Sequence, residues 1–178
     1  MQVLPAALPG VVVFRPEPHR DERGLFTRTF DLALAREHGL PEFVQDSQSR
    51  SHRGTVRGLH GRAGAGEAKL VRCAHGAVHD VLVDARPESP RFGEHEAFRL
   101  DDETFDHLFV PSGLLHGFQA LTELADVCYR IDTAHSPGDD LQVRFDDPDL
   151  GIHWPLPVSF ISARDSSAGG WREVRARL

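Results

Sequence analysis

KLVRCAHGAVHDVLVDAR, residues 69–86, decides the fold. His75-Gly76 splits it into two apolar runs, KLVRCA and AVHDVLVDAR, each the length of a strand rather than of a helix. In the second run the valines and the leucine fall on both faces, the pattern of a central strand covered on both sides. Working outward, FVQDSQSRS precedes this stretch, and EHEAFRL, HLFVP, HGFQAL and DVCYRIDTA follow it, separated by RPESPRFG, LDDET, PSG and LTEL. Many short strands with Gly, Pro and Asp between them predict an all-β sandwich or barrel. One helix stands out in the first two thirds, DLALAREHGL, with Asp31 placed to cap it and Gly39 and Pro41 to end it. Nearer the N-terminus, Val11 to Phe14 reads as a short buried strand stopped by Pro16 and Pro18. A turn at Asp21 to Gly24 then leads into a strand alternating Leu25, Thr27 and Thr29 against Phe26, Arg28 and Phe30. The tail after Phe160 reads as a loop and a short terminal helix.

The chain has 178 residues, which fits one domain spanning 1–178. A hydrophobic content of 40% with 26% charged residues is that of a soluble globular protein, not of a disordered one. The net charge of -7 argues against a nucleic-acid partner and leaves room for an anionic small molecule where a few arginines converge. Cys73 and Cys128 each sit inside an apolar run with no metal or redox spacing, so they read as small buried side chains. The first residues, MQVLPAALPGVVVF, lack a basic segment and carry two prolines, unlike a signal peptide, and no run approaches the ~20 apolar residues of a membrane span. The expected compartment is the cytoplasm.

Chemistry concentrates in residues 49–72, SRSHRGTVRGLHGRAGAGEAKLVR. His60 follows the tight Arg57-Gly58-Leu59 approach, a Gly- and Ala-rich loop comes next, and Lys69 heads the following strand. A base and an ammonium on neighbouring strands are what proton abstraction beside a carbonyl requires: one takes the proton, the other stabilises the enolate oxygen. A single histidine among 11 is more often structural, so the pair alone does not decide.

Several stretches together resemble the dTDP-4-dehydrorhamnose 3,5-epimerase family: DERGLF, FVQDSQS, GTVRGLH, AKLVRC, GAVHDVLVDAR with SPRFG, VPSGLLHGF, DDPDLGIHWP and ISARD. They occur in family order over nearly the whole chain. The resemblance implies a cupin-type jelly-roll barrel with short peripheral helices, a homodimer, and a cofactor-independent epimerase acting on a dTDP-4-keto-6-deoxyhexose. It assigns His60 as general base, Asp165 as the carboxylate that orients it, Lys69 beside the C4 oxygen, and Tyr129 as a tyrosine lining the sugar pocket. Arg57, Arg23 and Gln45 match positions that hold the diphosphate and nucleotide, and Phe26 the aromatic near the thymine base. His116 is expected to support the pocket by hydrogen bonds. The segment from Arg23 to Phe26 is implied to reach the partner's site. Metal-binding cupins present two histidines one residue apart followed by a glutamate. That triplet is missing here, so no metal is expected, although His60, His79 and His116 are candidates to converge.

The departures bear on outcome. Double epimerases usually carry a second tyrosine six positions after the first, the proposed acid on the opposite face; here that position is His135. A histidine can donate a proton near neutral pH, or water can reprotonate the enolate and restrict reaction to one carbon. Arg28 replaces a common glutamate, Ser47 a common asparagine, and Gly61-Arg62 the usual Tyr-Gln. These changes favour single-site epimerisation, at C3 or C5 with C3 preferred, in deoxysugar biosynthesis. The alternatives are the double epimerase of dTDP-rhamnose synthesis, a non-catalytic nucleotide-sugar binding module, and a metal-dependent cupin enzyme.

Overall fold

In the computed structural model, residues 1–134 and 137–178 are described; His135, the candidate proton donor, and Ser136 lie outside them. The elements run β1 (Gln2–Pro5), β2 (Val12–Arg15), β3 (His19–Asp21), β4 (Gly24–Phe26), α1 (Leu32–Glu37), β5 (Gln45–His52), β6 (Val56–Arg62), β7 (Lys69–His75), β8 (Ala77–Asp84), β9 (His95–Asp101), β10 (His107–Val110), β11 (Leu114–Ala120) and β12 (Leu124–Ile131). A 3-10 turn (Pro137–Asp139), β13 (Asp140–Gln142), α2 (Ala163–Ser166) and α3 (Trp171–Arg175) complete the chain. Among the described residues, eleven strands form two sheets in the orders β1-β2-β10-β7-β12-β5 and β13-β6-β11-β8-β9, and β3 and β4 pair with each other alone. Neighbours in both large sheets are antiparallel, and the fold is the expected cupin jelly roll.

Alternation explains how the layers meet. Val71, Cys73, Val78, Leu82, Leu108, Phe118 and Val127 point between the sheets and form the main core. Leu59, Val83 and Leu115, one residue out of phase, point to the other face of the five-stranded sheet, where Val143, Leu150, Trp171 and Val174 cover them. Each such Val or Leu contributes roughly 1.5–3 kcal/mol when fully buried. β8 is therefore covered on both faces, as the placement of its valines and leucine on both of them predicts. Cys73 lies in the main core, and burial pushes its thiol pKa up to about 12, leaving it unreactive.

Asp31 caps α1 through hydrogen bonds from the N–H groups of Ala33 and Leu34. The strand predicted through Phe30 instead ends at Phe26, because alternation marks faces but supplies no neighbour to pair with beyond the short hairpin. β1 and the single turn α2 are additions to the sequence-based expectation. Among the described residues no helix is long and apolar enough to cross a membrane.

Candidate active site

The unusual backbone of β6 begins the site. Gly58 has φ +127°, and a Cβ there would lie 2.5 Å from the Gly117 Cα on β11. A Cβ on Gly117 would in turn meet the Arg57 carbonyl at 2.8 Å. Two glycines thus let the strands approach closely, and the register shifts between His116 and Phe118. Directly beside this irregularity, His60 and His116 stand opposite each other in register.

A cavity of about 390 Å³ opens over these two imidazoles. The six-stranded sheet supplies Lys69 at the head of β7 and Tyr129 from β12, so the cation and the phenol line the same space as the two histidines. Its rim includes Arg57, Phe160 and Arg164.

Asp165 reaches His60 from far along the chain. The Val56 N–H donates to the Phe160 carbonyl at 3.0 Å, and a parallel bridge joins Thr55 to Phe160, which docks the C-terminal segment beside β6. Ser162 then caps α2 by accepting from the Asp165 N–H at 3.0 Å. The buried Asp165 carboxylate faces His60 Nε2 at 2.6 Å with Oδ1, while Oδ2 accepts from the Gly58 N–H at 3.4 Å. A carboxylate only accepts, so Nε2 carries the hydrogen and the Nδ1 lone pair is left for chemistry. Burial holds the His60 pKa below its ordinary value, opposed by the hydrogen bond and charge of Asp165, and the positive charge of Lys69 pushes it down further. The side chain nevertheless keeps 41% of its surface exposed. A neutral, oriented and accessible imidazole is the form a general base needs.

His116 is placed differently: its Nε2 meets Asp80 Oδ2 at 2.8 Å in a pair almost wholly sealed from solvent. Arg57 donates to Ser51 Oγ at 3.0 Å and to the Arg50 carbonyl at 3.3 Å, which fixes its guanidinium at the cavity edge. Gln45 lies in register with Ile131, a cavity residue, but does not itself line the space. Arg23 and Phe26 are not brought to this cavity. They sit on the β3–β4 hairpin, Arg23 bound to Asp21 at 2.7 Å and Phe26 66% exposed. His79 points to the other face of its sheet and packs edge-on against Trp154 at 6.0 Å, so it does not converge with His60 and His116. Among the described residues no three His, Cys, Asp or Glu side chains are grouped to hold a metal ion.

Sequence reasoning missed Glu67, Arg164 and Asp80. Arg164 had a signal in its place beside Asp165 within ISARD, and it pairs with Asp140 at 2.6 Å. Glu67 ion-pairs with both Lys69 and Arg62, a link across a Gly-rich loop that residue spacing does not reveal.

The model of the dTDP-4-dehydrorhamnose 3,5-epimerase family matches residues 5–173. A dTDP-4-dehydrorhamnose 3,5-epimerase of Methanothermobacter thermautotrophicus is 40% identical over 95% of this chain and 92% of its own length. The crystal structure of NovW, a 4-keto-6-deoxy sugar epimerase from the novobiocin gene cluster of Streptomyces spheroides, superimposes with a TM-score of 0.94 at 36% identity, covering 99% of this chain and 90% of its own. ChmJ, a 3'-monoepimerase from Streptomyces bikiniensis solved with dTDP-quinovose, gives a TM-score of 0.89 at 33% identity over 98% and 89% of the two chains.

Proposed function

The chain belongs to the dTDP-4-dehydrorhamnose 3,5-epimerase family, whose members are isomerase-class enzymes, and from that premise we propose that it epimerises a dTDP-4-keto-6-deoxyhexose at C3. Residues 1–178 act as one cupin-like epimerase domain, cytoplasmic and working in deoxysugar biosynthesis. The observation that carries this is the His60–Asp165 contact of 2.6 Å at a cavity that Lys69 also lines.

The steps follow from charge. A ketone at C4 makes the neighbouring C–H acidic; His60 Nδ1 takes the C3 proton, and the imidazolium that forms is stabilised by the Asp165 carboxylate. Electron density moves to O4, where the Lys69 ammonium stabilises the enolate. Reprotonation from the opposite face then inverts the carbon, with Tyr129 lining the sugar pocket and His135 the candidate donor in place of the usual second tyrosine. His116, tied to Asp80, braces the floor, and Arg57 with Gln45 holds the diphosphate and nucleotide. The preference for C3 rests on His135 and on the existence of a similar 3'-monoepimerase, ChmJ.

Arg23 and Phe26 take part through a homodimer, in which the exposed β3–β4 hairpin of one protomer meets the nucleotide in its partner. A hairpin with a two-thirds exposed phenylalanine and no tie to its own cavity supports that role.

Solvent-deuterium exchange followed by NMR tests the reaction carbon by carbon. Label entering C3 alone is expected. Label at both C3 and C5 would mean the double epimerase, and label at neither, with dTDP still bound, a binding module. Activity lost to a chelator would point to a metal.

A further inference from the structure

We propose that Glu67 is the positioning residue for Lys69, and that Arg62 is the matching charge that lets a carboxylate sit there without neutralising the site. This rests on the assignment of Lys69 as the cation at O4. Glu67 Oε1 accepts from Lys69 Nζ at 2.8 Å, and Glu67 Oε2 pairs with Arg62 Nη2 at 3.1 Å. The three side chains are only 12%, 11% and 8% exposed, so the trio is withdrawn from bulk water. Arg62 is in turn fixed at its other nitrogen, where Nη1 donates to Thr133 Oγ1 at 2.8 Å and to the Ala134 carbonyl at 2.9 Å. The loop holding Glu67 is pinned beside it, the Ala68 N–H donating to Asp132 Oδ1 at 2.8 Å and the Asp132 N–H to the Ala68 carbonyl at 3.2 Å.

Lysine is a point charge on a four-carbon stem with many rotamers, and little in an open cavity holds it still. One bond to Glu67 fixes the ammonium and leaves two of its three donors for an oxygen in the cavity. A carboxylate alone would cancel the positive charge that an enolate needs. Arg62 restores the sum to +1. The same buried carboxylate separates two cations that would otherwise repel in a poorly screened space. Glu67 does not line the cavity, so it acts through Lys69.

The test is steady-state kinetics and C–H exchange with the dTDP-4-keto-6-deoxyhexose on the full chain, comparing Glu67→Gln, Glu67→Asp, Arg62→Gln and the Arg62→Gln/Glu67→Gln pair, with Lys69→Met as reference. Glu67→Gln is expected to lower kcat about 30-fold with KM and dTDP affinity within about threefold, the mark of an interaction used only in the transition state. Glu67→Asp, which keeps the charge, should recover at least about fivefold of that loss. The paired variant, which removes both charges, should be less impaired than the product of the single losses by about tenfold. If wild type exchanges and Lys69→Met is impaired but Glu67→Gln is not, this proposal fails while the reaction stands. Additive single losses, or equal damage in Glu67→Asp and Glu67→Gln, also overturn it. Should Glu67→Gln not fold, the paired variant, which keeps the summed charge at +1, is read against wild type: a fall in kcat of at least about fivefold with KM unchanged upholds the proposal, and kcat within about twofold overturns it. If wild type itself exchanges nothing, the underlying reaction is what fails.

Discussion

His60 with Asp165 and His116 with Asp80 are neighbouring pairs of the same chemistry, facing each other across β6 and β11 at 2.6 Å and 2.8 Å. Their surroundings differ. His60 keeps 41% of its side chain open and receives its carboxylate from a distant helical turn, while His116 keeps 9% and receives its own from the adjacent strand β8. An imidazole that is oriented and open can exchange a proton with a ligand. One that is oriented and largely covered, as His116 is where it meets the cavity, is better placed to brace what surrounds it. Access, rather than residue type or bond length, is therefore what distinguishes the two pairs, and on it rests the proposal that His60 is the base and His116 a support.

The contrast collapses most directly if His60→Asn keeps its activity. We expect that variant to lose deuterium exchange by at least about 10³-fold while dTDP affinity, measured by calorimetry, changes by less than about threefold. Asp165→Asn should come next, lowering kcat by about 10²-fold because the imidazole loses its fixed tautomer. It also moves the pH profile in a defined direction. Burial holds the His60 pKa below about 6.5, so the acid limb of kcat/KM lies below that pH in wild type. Asp165 raises the His60 pKa, so removing it shifts the limb to still lower pH, and a limb moving upward would contradict the geometry. The smallest effect on rate belongs to the sealed pair. Asp80→Ala should cost about 3 kcal/mol in urea denaturation, by stranding a buried imidazole, while exchange per folded molecule stays within about tenfold of wild type.

The sealed and open parts of the molecule were not equally legible in the sequence. Strands such as β7 and β8 announce themselves because burial on one or both faces demands a hydrophobic period, and Asp31 announces α1 because a cap has a chemical signature. His60, Lys69 and Asp165 were found through the order of short motifs, and the cavity gathers all three. Residues 27–30 misled because alternating side chains do not guarantee a partner strand, and α2 is too short to show any period. Glu67 was invisible because its importance lies in where a Gly-rich loop returns, which depends on the tertiary bonds to Asp132 and Arg62. The exposed hairpin with Arg23 and Phe26 carries no packing signature of its own.

The docking of the C-terminal segment onto β6, through Phe160 and the turn that follows, gives the enzyme an order of assembly. Translation runs from the amino end, so every barrel strand and His60 itself are made before the carboxylate that steadies the imidazole exists. The imidazole of His60 therefore meets its carboxylate only once the turn after Phe160 has docked against β6, a contact that joins residues 105 apart in the sequence.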